Sequence, residues 1–133
     1  MTSQGEPGRA LTLRDSFSYA FAGVGYAIRH ERNVRIHLVT ALVIIIIAAT
    51  VGVGPTEWAL LLLAMGAVLA AELMNTAVET AVDLACERRF HPLALTAKNV
   101  AAGSVLVAAV AAFLVGLIVL GPRVWVIVSG WLK

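Results

Sequence analysis

The chain has 133 residues, of which 60% are hydrophobic and 14% charged, with a formal net charge of +2. This is far more apolar than an ordinary soluble domain, and so short a chain offers little other protein in which to bury its long apolar runs, so a small soluble enzyme is excluded. The weak positive charge lies beside the apolar runs and not on a separate basic face, which gives no support for nucleic-acid binding, and the single cysteine, Cys86, excludes an intrachain disulfide framework.

Residues 1–10 (MTSQGEPGRA) mix Gly, Pro and polar residues without a period and lack the apolar core of a secretory signal, so a short disordered tail is expected. The membrane domain is expected over 11–122. Thr12 stands three residues before Asp15, a capping-box spacing, and Leu13, Phe17, Ala20, Phe21, Val24 and Ile28 recur at helical intervals. An amphipathic helix over 12–30 is predicted, lying on the membrane surface or packed on protein, since both need the same stripe.

The apolar run 38–53 is slightly shorter than the ~20 residues a span needs, so the first transmembrane helix is placed at about 34–53, ended by Gly52, Gly54 and Pro55. The second is expected over about 57–86, apolar from 58 to 71 and acidic beyond. The third, opened by Pro92, is expected over about 93–120, with Gly121-Pro122 as its stop and a C-terminal tail at 123–133. Arg9, Arg14, Arg29, Arg32 and Arg35 precede the first span, none of the Lys and Arg residues lies between the first two, and Arg88, Arg89 and Lys98 lie between the second and third. The positive-inside rule then puts the amino terminus in the cytoplasm, with the acidic end of the second helix on that side.

Glu72, Asn75, Glu79 and Asp83 fall within about one quadrant of a helix that turns ~100° per residue. Counted at about 1.5 Å per residue from Glu57, Glu72 lies ~22 Å into a ~30 Å hydrocarbon layer, with Glu79 near the cytoplasmic boundary and Asp83 beyond it. An ionisable residue at such depth is costly and by default marks a functional site. Glu31 sits just before the first span at the level of Glu79, with Arg35 one turn later as a possible ion-pair partner. Two carboxylates at one depth are what Mg²⁺ takes from protein, leaving its other positions to water or phosphate. Lys98 and Asn99 reach the same level, where a lysine contacts phosphate as a point charge or simply snorkels to the interface. His30, His37 and His91 have no zinc-site spacing, and no phosphate-binding or dinucleotide glycine motif is present.

The run Glu72-Leu73-Met74-Asn75-Thr76-Ala77-Val78-Glu79-Thr80-Ala81-Val82-Asp83 closely resembles the prokaryotic diacylglycerol kinase family, as do Glu31-Arg32-Asn33-Val34-Arg35-Ile36-His37 before it and Ala97-Lys98-Asn99-Val100-Ala101-Ala102-Gly103 after it. The undecaprenol kinase branch is the nearest in pattern, and the resemblance covers roughly 16–120. It implies an all-α membrane protein, an amphipathic surface helix plus three spans in a homotrimeric bundle of the prokaryotic inner membrane. It implies transfer of the ATP γ-phosphate to a lipid hydroxyl, with Glu72 as general base, Asn75 orienting substrate or base, Glu31 and Glu79 holding Mg²⁺, and Lys98 contacting phosphate. The family usually has an acidic residue after the lysine, where this chain has the neutral Asn99. The alternative is a small oligomer conducting protons or cations along the acidic stripe, although 58–71 offers no ionisable residue to continue such a relay. The pattern leaves open whether undecaprenol or diacylglycerol is the lipid.

Overall fold

The computed structural model describes residues 12–131; the tail expected at 1–10 and the last two residues of the segment 123–133 lie outside the described residues. Four helices follow one another: α1 (Leu13–His30), α2 (Arg32–Val51), α3 (Pro55–Ala85) and α4 (Pro92–Trp131). The last three are each long and apolar enough to cross a membrane. Within the most apolar stretches of α2 and α4 only 11% of residues are buried inside the chain, so most of their apolar surface must be covered by something else.

Each helix end has a local cause. The Thr12 hydroxyl accepts from the Asp15 N–H at 3.2 Å, and the Asp15 carboxylate accepts from the Thr12 N–H at 3.0 Å, the reciprocal capping box that starts α1. Glu31 is the single extended residue between α1 and α2, with φ −98° and ψ 117°. Gly52 closes α2 at φ 70°, a left-handed conformation that costs glycine nothing, while Val53 N–H reaches back to the Ala48 carbonyl at 3.3 Å. Pro55 supplies the first turn of α3, and the Glu57 carboxylate accepts the Gly54 N–H at 2.6 Å. After α3 the chain reverses through Glu87 and Arg88, both left-handed, and Arg88 N–H closes the turn on the Asp83 carbonyl at 3.0 Å.

The buried core sits at the α2–α3 turn, where Ala48, Val53, Leu61, Val119 and Leu120 meet, flanked by Trp58 and Met65. α3 packs most extensively on α4, while α2 touches both and α1 rests against α2 and α3.

The third transmembrane helix does not stop at Gly121-Pro122. α4 continues through Pro122 to Trp131, 40 residues or about 60 Å, so it must project beyond a ~30 Å hydrocarbon layer. Proline removes one helical hydrogen bond, a loss that spanning helices tolerate when neighbouring groups hold the chain. Here Arg123, the next residue, donates to the Gly52 carbonyl at 2.7 Å and to the Glu57 carboxylate at 2.6 Å, fastening α4 to the α2–α3 turn. Arg123→Met is therefore expected to lower the thermal unfolding midpoint in detergent micelles, because it strips a carbonyl and a carboxylate of their partner in one step. An unchanged midpoint would show that the fastening is dispensable.

Candidate active site

The polar stripe forms as the spacing predicts, on the face of α3 that turns inward. Glu72 is 3% exposed and Asn75 8%, the two buried polar residues among the described ones, whereas Glu79 and Asp83 are partly buried nearer the α3–α4 turn. Asn75 Nδ2 donates to Glu79 Oε1 at 3.1 Å. A carboxylate can only accept, so the amide must turn its NH₂ toward Glu79 and its oxygen away. Asn75 Oδ1 is thereby buried without a hydrogen-bond partner among the described residues. Such an acceptor costs about 1–3 kcal/mol if nothing meets it, and it leaves a lone pair on this face open to a donor or cation.

Glu72, one turn deeper, makes no ion pair among the described residues. Val68, one further turn along the same face, lines an apolar groove of about 510 Å³ between α2, α3 and α4, with Thr40 and Ile44 on one wall and Phe113 and Leu117 on the other. The groove gives an apolar chain a path along the bundle that ends close to the buried carboxylate.

Arg35 does not pair with Glu31. Its guanidinium donates to the carbonyls of Ile28 and Arg29, at 3.2 and 2.9 Å, because the last turn of α1 leaves carbonyls without helical partners and a fork of N–H donors fits them. Glu31 thus keeps its carboxylate unpaired among the described residues, half-buried at the elbow between two helices that both touch α3.

Lys98 is tied to the stripe by an ion pair with Asp83 that joins α4 to α3 across the turn. Asn99 is exposed, since the next residue on a helix is turned ~100° away from Lys98 and cannot share its face. Helix periodicity places Asp83 on the stripe but assigns it no partner. The signal for one was available: α4 holds no Asp or Glu, so any counter-charge for Lys98 has to come from another helix. Two of the three histidines make local hydrogen bonds, His91 accepting the Leu93 N–H at 3.2 Å at the start of α4 and His30 donating to the Tyr26 carbonyl.

Among the described residues no three His, Cys, Asp or Glu side chains cluster as an all-protein metal cage. A nucleotide-borne Mg²⁺ needs no such cage, since it takes one or two carboxylates from protein and completes its shell with phosphate and water oxygens. The donors present are hard oxygens: the Glu31 carboxylate, the Glu79 oxygen that Asn75 leaves free, and the orphaned Asn75 Oδ1.

The family model described as prokaryotic diacylglycerol kinase matches residues 18–120. A diacylglycerol kinase from Synechocystis is 45% identical over 107 residues, which is 80% of this chain and 61% of the relative, so the chain spans less than two thirds of that protein's length. An undecaprenol kinase from Bacillus subtilis is 38% identical over 108 residues, 81% of this chain and 87% of the relative. The likeness first carried by the acidic stripe extends over most of the molecule, and the chain belongs to the prokaryotic diacylglycerol kinase family.

Proposed function

We propose that this protein is a lipid kinase of the cytoplasmic membrane, transferring the γ-phosphate of MgATP to the hydroxyl of undecaprenol or diacylglycerol. The observation that carries this reading is the buried face of α3, where an unpaired carboxylate, Glu72, lies one turn from the orphaned oxygen of Asn75 and close to an apolar groove. A lipid alcohol supplies what that face lacks: a hydroxyl to meet the polar atoms and an apolar chain to lie along the groove.

In this reading Glu72 takes the proton of the lipid hydroxyl as its oxygen bonds to the γ-phosphorus and the bond from that phosphorus to the β-phosphate bridging oxygen breaks, releasing ADP. Asn75 orients the hydroxyl or the base. Glu79 and Glu31 would hold Mg²⁺, which when bound would supply positive charge toward the phosphates. Lys98 faces the phosphates, whereas Asn99, exposed and turned to another face of α4, is withdrawn from that role. The excess of arginine before α2 and at the α3–α4 turn sets the amino terminus and this end of the bundle in the cytoplasm, where MgATP is found. α1, with Leu13, Phe17 and Phe21 outward, lies along the headgroups of the inner leaflet. A homotrimer covers the apolar flanks of α2 and α4 and completes the shielding of the stripe.

ADP release by the purified protein in detergent micelles, with and without added lipid alcohol, tests the reading. Turnover should require the lipid, Mg²⁺ and ATP together. ATP hydrolysis indifferent to the lipid, or no turnover with either alcohol, would count against it.

A further inference from the structure

We propose that Asp83 is the positioning residue of Lys98, holding the lysine ammonium at the polar end of the α3 stripe where the phosphates of MgATP are received. The inference rests on the kinase reading above and adds a residue to it.

Lysine carries its charge on a flexible four-carbon stem, and at a membrane boundary an untethered lysine swings outward to water and headgroups. Nothing on α4 can prevent this, because Pro92–Trp131 contains no acidic residue and the neighbouring Asn99 is neutral and turned to another face. The restraint comes instead from α3, where Asp83 Oδ1 accepts from Lys98 Nζ. Asp83 lies one turn beyond Glu79, which in turn receives the Asn75 amide, so the ammonium is tied to the face that carries the candidate metal and substrate groups. The Asp83 backbone carbonyl accepts the Arg88 N–H that closes the α3–α4 turn, a bond that substitutions of the side chain leave available.

Stability does not account for the pair. The Lys98 and Asp83 side chains are 33% and 44% exposed, and solvent screening leaves such pairs little net effect on folding. What the pair controls is where the ammonium sits. With three N–H donors, Lys98 can keep Asp83 and still donate to a phosphate oxygen, so the contact prepares the site without blocking it.

The test is steady-state kinetics of lipid phosphorylation, together with titration of MgATP binding, for the wild type, Asp83→Asn, Asp83→Glu, Lys98→Met and the double variant Asp83→Asn/Lys98→Met in micelles. Asp83→Asn should raise both KM and Kd for MgATP about tenfold with kcat within about threefold, because the lysine acts on bound phosphate in ground and transition states alike. Asp83→Glu should recover most of the loss. In the Lys98→Met background Asp83→Asn should add nothing, the non-additivity expected of residues acting as one unit. Equal losses in both backgrounds, an unchanged or lowered KM, or an Asp83→Asn protein that does not fold would each overturn the inference, the last by making Asp83 a structural residue. A wild type that phosphorylates no lipid alcohol defeats the kinase reading and this inference with it. An active wild type whose variants break the pattern defeats the inference alone.

Discussion

Glu72→Gln should lower kcat at least ~10²-fold while MgATP affinity, measured by titration, stays within about twofold. Glutamine keeps the size and hydrogen-bonding reach of the side chain but cannot take a proton. Glu72 is separated from Glu79 by seven residues of α3, roughly 10 Å along the axis, with the buried Asn75 between them. The deeper carboxylate lies near the apolar groove and the shallower one nearer the α3–α4 turn, so the two should fail in different ways. A variant that loses MgATP affinity and keeps turnover at saturation would make Glu72 a nucleotide or metal ligand, and the division of labour by depth would be wrong.

Glu79→Gln and Glu31→Gln should each reduce Mg²⁺-dependent turnover by about 10²-fold or more while leaving the protein folded, because each removes half of the carboxylate charge proposed to face the metal. The two substitutions are mild structurally. Glutamine at position 79 retains a carbonyl oxygen to accept from Asn75, and Glu31 gives up no ion pair among the described residues because Arg35 is engaged with the end of α1. Size-exclusion profiles matching the wild type, together with activity partly restored by raised Mg²⁺, would attribute the loss to the metal. Near-wild-type activity at ordinary Mg²⁺ would remove both residues from that role.

The parts of this arrangement that could be read from the sequence are those that periodicity alone dictates. Glu72, Asn75 and Glu79 recur at helical intervals inside an apolar run, so their common face and the depth of Glu72 follow from helix geometry. The parts that could not be read depend on which helix lies beside which. Gly121-Pro122 has the local chemistry of a helix stop, and it is overridden because Arg123 finds the Glu57 carboxylate and the Gly52 carbonyl across the bundle. Glu31 and Arg35 have the spacing of a helical ion pair, but Glu31 is the extended residue between two helices, and the guanidinium is drawn to the carbonyls where α1 ends. Asp83 and Lys98 stand fifteen residues apart on separate helices, and only the reversal through Glu87 and Arg88 brings them together.

Lipid phosphorylation is most directly followed by transfer of label from γ-labelled ATP to an added lipid alcohol in a single turnover, with enzyme in excess and the organic phase counted. The wild type should place the label on undecaprenol or diacylglycerol in a Mg²⁺-dependent reaction, whereas Glu72→Gln should bind the nucleotide and leave the label in the aqueous phase. Label released as inorganic phosphate at the same rate with and without the lipid, or equal transfer by Glu72→Gln, would contradict a lipid kinase built on the buried face of α3.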